Sequence, residues 1–188
     1  PPAVLSYLEE GAAGGRDETP KPGDRAFVKV ANLIIASNII ALRAAAKEAE
    51  RRGYRTMILS SLFEGETRDV ARFHDAIVRE VRATGAPLSP PACIISGGET
   101  TVTVTGHGLG GRNMEYAIRS APLLSGRTGV LVASVGTDGT DGPTDAAGAM
   151  ADGTTVQRAL EKGLDIDQYI KNSDSYHFFQ ALGDLVMT

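Results

Sequence analysis

Tryptophan is absent from this chain and cysteine occurs once, at Cys93. A single thiol rules out an internal disulfide, and its place in the apolar run Cys93-Ile94-Ile95 makes it a small packing residue. That suits a reducing cytoplasm, which is the expected setting. A basic excess is missing too: the net charge is −4 and both signs are interspersed along the chain, which excludes the basic stripe that nucleic acid requires. No stretch approaches the ~20 apolar residues of a helix that crosses a bilayer, and nothing at the start resembles a signal peptide. Neither nucleic acid nor membrane is therefore an expected partner. Several catalytic signatures are lacking as well. There is no Walker A loop and no Gly-x-Ser-x-Gly elbow, and Ser37, Ser60 and Ser96 have no assignable His/Asp pair. His107 and His177, the histidines in polar contexts, have neither cysteine nor carboxylate partners at zinc spacing.

What is present is enough for one domain with a real core: 188 residues, 42% of them apolar, within the ~100–200 of an ordinary domain. The start at Pro1-Pro2 and the stop at Val186-Met187-Thr188, just after the opening of a strand, both look cut. A piece of a longer protein is expected. Residues 9–25 mix glycine, proline and charge without periodicity and mark a loop, so residues 1–30 are expected to be a linker and joining segment. The organised domain is expected over 31–188. Leu33 to Ala36 reads as a strand, followed by a helix from Ser37-Asn38 to Gly53 with Ile39, Ile40, Leu42, Ala46 and Ala49 at helical spacing. Thr56 to Leu59 is a second strand, Thr67 to Thr84 an amphipathic helix ended by Gly85 and Pro87, and Cys93 to Ile95 a third strand. Thr100 to Thr105 alternates β-branched residues with period two, as a half-buried strand does. Helices are expected over Arg112–Ser120, Thr154–Lys162 and Ser173–Leu182, the last capped by Ser173 or Asp174, with a buried strand over Gly129–Val135. Alternating strands and helices predict a layered α/β/α domain with a largely parallel or mixed sheet and one antiparallel hairpin.

Sites in such sheets lie at the carboxyl ends of strands. Three loops there are too polar and too rich in glycine to be core: Ser96 to Thr100, Gly106 to Asn113, and Gly136 to Asp145. Parallel neighbouring strands would bring them to one edge. Gly106, Gly108 and Gly111 formally fit Gly-x-Gly-x-x-Gly, but the preceding strand alternates and no acid stands about 20 residues on to bind a ribose. The fold is thus Rossmann-like without a true dinucleotide fingerprint. A better reading is an anion site, in which glycine-rich backbone leads into a helix with free N–H groups beside the planar fork of Arg112. In the last loop, closely spaced carboxylates repel unless a cation or donors compensate them. Such a cluster suggests Mg²⁺ or a polyol; Asp138 and Asp141 are expected to face that ligand, as the metal-binding pair where it is Mg²⁺, and Asp145 to cap or orient. The spacing does not match a calcium loop.

The runs IISGGETTVTVTGHGLGGRNMEYAI, SVGTDGTDGPTDAAGAMADGTT and NSDSYHFFQALGDLVMT resemble the carboxyl-terminal MOFRL region of the glycerate 2-kinase family. Upstream, VANLIIASNIIALRAAAKEAERRGY is similar to the segment that leads into it, so the resemblance spans about Ala31 to Thr188. It implies phosphorylation of D-glycerate by ATP with Mg²⁺ or another divalent cation, giving 2-phosphoglycerate, in a cleft between two α/β domains. This chain would supply one wall. Most of the first domain, which supplies a lysine important for catalysis, and the GPTGTNVND-like ending of the family are expected to be missing from it, which puts catalysis by the piece alone in doubt.

By motif, the resemblance assigns Arg112 to the glycerate carboxylate or the transferred phosphoryl group. Asp138 or Asp141 would hold Mg²⁺ or orient the 2-hydroxyl, with Asp138 named as catalytic. Gly97, Gly98, Glu99, Gly108, Gly110, Gly111, Asn113, Thr137 and Thr140 would line the substrate or phosphates. His107 and Met114 depart from the family pattern and receive no role. Two alternatives stand beside the kinase: an NAD(P)H-dependent hydroxypyruvate reductase, a name attached to similar sequences, and a non-catalytic ligand-binding domain. Whether copies pair as a homo-oligomer is left open by the sequence.

Overall fold

The computed structural model describes all 188 residues, which divide into two units, Pro1–Ala36 and Ser37–Thr188. In the first unit, helix α1 (Pro2–Ala12) starts with proline in its first turn, where the missing N–H costs nothing. None of its residues is buried. Arg16 pairs with Glu10 and lies over the Tyr7 ring at 4.7 Å. A short 3₁₀ turn follows at Arg25–Phe27, capped by Asp24. The strand expected at Leu33 to Ala36 does not form: Leu33, Ile34 and Ile35 are more than 80% exposed and pair with nothing. Apolar composition makes a strand only where a partner edge and a packing face exist.

The second unit is α/β, as expected, but its strands fall into two sheets. Helix α2 (Asn38–Arg51) leads to β1 (Arg55–Glu66), α3 (Thr67–Thr84) and β2 (Ala92–Thr101), and β1 and β2 pair in parallel from Arg55↔Ala92 to Glu66↔Thr101. The register shifts between Ile58 and Ser60 and again between Ser60 and Phe63. Helix α3 keeps the predicted bounds because both ends are signalled locally: apolar positions recur at 3.6-residue spacing, and Gly85 closes it in the left-handed conformation at φ 76°. Helix α2 packs on both strands, and α3 packs on α4 (Arg112–Leu124).

The other sheet is antiparallel, in the order β3 (Leu131–Val135), β4 (Gly148–Asp152), β5 (Leu185–Val186). Strand β4 lies between the other two, and was not expected from Gly-Ala-Met-Ala-Asp, which has no β-branched residue. Its small side chains let α4 settle directly on the sheet. Three short helices, α5 (Thr155–Glu161), α6 (Ile166–Lys171) and α7 (Ser175–Leu182), complete this half. Its core joins Met114, Ala117, Ile118 and Ala121 of α4 to Ala149 and Ala151 of β4 and Phe178 and Phe179 of α7, all essentially inaccessible.

The predicted strand over Thr100–Thr105 stops at Thr101. Beyond it, Thr103 gives its N–H and hydroxyl to the Glu66 carboxylate, and Thr105 bonds to Ser173 and Lys171. Backbone donors that a strand would need are taken by Glu66 at the end of β1 and by Ser173 after α6.

Candidate active site

Two polar loops, 106–111 and 136–145, meet the end of β2 around the start of α4; the segment 96–100, expected as a loop, is instead strand and pairs with β1. Arg112, the first residue of that helix, places its guanidinium 2.9 Å from the Glu99 carboxylate at the end of β2. The pair is exposed on both sides. The Gly106–Gly111 loop lies against the Asp loop so closely that a Cβ on Gly111 would overlap the Asp141 carboxylate, and one on Gly142 would overlap the Gly110 carbonyl. Only glycine fits such an approach.

Asp141 corrects an expectation. Predicted to face a ligand beside Asp138, it is 3% exposed and turned inward. Its Oδ1 accepts from the backbone N–H of Asn113 at 3.1 Å and from Asn113 Nδ2 at 3.0 Å, and its Oδ2 accepts from the N–H of Met114 at 2.8 Å. These are the second and third N–H groups of a helix whose own N-cap is Gly111, with no side chain to offer. A carboxylate from a loop distant in sequence thus does what an N-cap side chain normally does. Asn113 is likewise turned to structure: its Oδ1 accepts from Ser134 of β3 at 2.7 Å. Asp145 accepts from the Tyr176 phenol at 2.8 Å, an orienting contact.

The groups left facing solvent are different. Thr137, Asp138 and Thr140 are exposed, and Asp138 makes only a long 3.4 Å contact with the Thr140 N–H. The N–H groups of Gly110, Gly111 and Arg112 have no partner in the chain. No group of three or more His, Cys, Asp or Glu side chains is gathered to hold a metal. For a cation bound through one carboxylate and substrate phosphates, as Mg²⁺ often is, Asp138 offers free oxygens and Asp141 does not.

Several glycines expected to cradle phosphate are demanded by the chain itself. Cβ atoms on Gly108 and Gly110 would overlap Asp174 and Ser175, one on Gly97 would overlap Asn38, and one on Gly98 would overlap the Phe63 backbone. The loop is held from the same side: Gly108 donates its N–H to the Asn172 carbonyl at 2.8 Å, and Leu109 donates to Asp174 at 2.9 Å. Asp174 stands at the N-cap of α7, yet its carboxylate serves Leu109 and His177 and makes no cap hydrogen bond.

One cluster next to the site went unread in the sequence. His74 of α3 bonds through Nδ1 to the Tyr116 hydroxyl at 2.8 Å and through Nε2 to Ser96 Oγ at 3.2 Å. Burial lowers the His74 pKa and pushes the Tyr116 phenol up to about 12, so both are neutral near pH 7. The readable signal was a histidine within the apolar stripe of α3, between Ala71 and Val81.

Comparison with known proteins gives the family. Residues 92–188, just over half of the chain, match the model of the MOFRL family. The glycerate 2-kinase of Pyrococcus horikoshii is 41% identical over the whole of this chain and 42% of its own length. The D-glycerate 2-kinase of Thermotoga maritima is 45% identical over 74% of this chain and 34% of its own. The crystal structure of glycerate kinase from Thermotoga maritima superposes with a TM-score of 0.82 at 38% identity, covering 98% of this chain and 45% of that one. The chain spans less than half the length of these relatives. On sequence and on fold alike, it belongs to the MOFRL-containing glycerate kinase family.

Proposed function

We propose that this chain forms one wall of the active site of an ATP-dependent kinase that converts D-glycerate to 2-phosphoglycerate, with residues 1–30 joining it to the remainder of the enzyme and residues 31–188 forming the domain. The observation that carries this reading is the exposed Arg112–Glu99 pair, set beside three unpartnered N–H groups where two polar loops meet the end of β2. A relative named glycerate 2-kinase aligns with the whole of this chain.

In the reaction, the 2-hydroxyl oxygen of glycerate bonds to the γ-phosphorus of ATP as the bond to the β,γ-bridging oxygen breaks, and the hydroxyl proton is released. Such a transfer asks the protein for alignment and charge neutralisation more than for covalent chemistry. Arg112 meets that need: its planar fork can leave Glu99 for the glycerate carboxylate or the phosphoryl oxygens. Glu99 holds the guanidinium in place until substrate arrives. The N–H groups of Gly110, Gly111 and Arg112 are donors for anionic oxygens. A divalent cation, with Asp138 as its carboxylate, would offset the charge of the nucleotide phosphates. Thr137 and Thr140 stand beside it with free hydroxyls.

The test is an assay of the full-length protein with ATP, Mg²⁺ and D-glycerate. ADP and 2-phosphoglycerate in equal amounts are expected. Oxidation of NADH with hydroxypyruvate and no ADP would overturn the assignment in favour of a reductase. Binding of ATP without turnover would favour the ligand-binding domain.

A further inference from the structure

Behind the Arg112–Glu99 pair lies the polar bridge formed by Ser96, His74 and Tyr116. Its members come from three elements. Ser96 is on β2, three residues before Glu99, and Tyr116 is on α4, one turn beyond Arg112 and on the same face of the helix at i, i+4. His74 stands between them on α3 and is the only link that bonds to both. It is fixed from the sides as well: the Phe63 ring meets it edge-on at 5.1 Å and the Tyr116 ring at 5.6 Å.

Proton positions follow from the chemistry. A neutral phenol is the better donor, so Tyr116 gives its O–H to Nδ1, which leaves Nε2–H to donate to Ser96 Oγ. Ser96 Oγ has no other hydrogen-bond partner in the chain. Loss of the imidazole would therefore strand both a half-buried hydroxyl and a half-buried phenol, and would free β2 from α4 at the point where their charged residues must meet.

We propose that His74 is a positioning residue: by bridging Ser96 on β2 to Tyr116 on α4, it holds the strand carrying Glu99 and the helix carrying Arg112 in register, so that the guanidinium keeps its place in the site. The kinetic part of this inference rests on the kinase reading above. Its geometric part does not.

Two variants of the full-length protein separate positioning from simple stability. His74→Phe keeps the aromatic packing and removes both hydrogen bonds; Tyr116→Phe removes only one. Each is expected to lower kcat by about 10-fold to 10²-fold while the KM for ATP holds. In the background of Arg112→Ala, neither should slow the enzyme further, because the group they position is gone. Additive losses in that background, or an unchanged kcat, overturn the proposal. If the native protein makes no ADP at all, the kinase reading falls and crystal structures of the two variants decide. Arg112 displaced from Glu99 beyond hydrogen-bond reach supports the positioning role; a retained pair overturns it.

Discussion

The two sheets of this domain are built on opposite terms. The antiparallel sheet and the helices over it enclose a core of inaccessible residues, Met114, Ala117, Ile118, Phe178 and Phe179 among them. The parallel pair β1–β2 contains no fully buried residue. Helix α4 belongs to both halves, with one side on β3 and β4 and another against α3. The candidate site is anchored on the half with the enclosed core and completed by the more exposed one. Arg112 is delivered by the helix that the core fixes, and Glu99 by the strand that the core does not reach.

Truncation in each half breaks or confirms this contrast. Phe178→Ala should cost about 3–5 kcal/mol, because a fully enclosed ring leaves a cavity that tight surroundings cannot fill, whereas Ile94→Ala on half-buried β2 should cost about 1–2 kcal/mol. Urea midpoints of the two variants measure the difference, and equal losses would remove the contrast. Arg112→Ala should raise the barrier to phosphoryl transfer by ~2–4 kcal/mol and leave the melting temperature nearly unchanged, since an exposed ion pair contributes little to stability. Turnover and calorimetry on one preparation show whether the two effects separate.

Asp141→Ala sits between these cases. It removes three hydrogen bonds from the start of α4, so stability should fall by about 1–3 kcal/mol and turnover should fall with it. Loss of stability with full activity would show that the helix start need not be held. The smallest effect concerns pH. Burial lowers the His74 pKa, so below its ordinary value of about 6.5 the unfolded chain binds the proton better than the native one. Stability is then complete above that value and declines as pH falls through the window toward the lowered native pKa. Urea midpoints measured from pH ~7.5 to ~5 should slope downward in the native chain and less so in His74→Phe; identical slopes would place the titration elsewhere.

How much of this was readable in the sequence depends on what decides each feature. Helix α3 was legible to the residue because its stripe, its cap glycine and its neighbours act locally. Composition marked the two glycine-rich loops that meet at α4, but not the route: the segment 96–100 is part of β2, and β3 belongs to the other, antiparallel sheet, so no shared parallel edge brings them together. Strand β4 was not legible, because its identity comes from the strands on either side and not from Gly148-Ala149-Met150. The same limit hid the direction of Asp141. Composition marks a cluster of carboxylates, but whether one turns to solvent or to a helix is decided by a contact 27 residues away. His74 escaped notice for the converse reason, since a titratable group inside an apolar stripe reads as packing until its two partners arrive from other elements.

The inward turn of Asp141 has a consequence for the turnover cycle. The positive end of α4 already has a resident anion, so in the proposed kinase a phosphorylated product would meet a partly quenched helix field and be held by the exposed Arg112 and the free N–H groups before it. Two of the N–H groups at the helix start are thus occupied before any ligand enters.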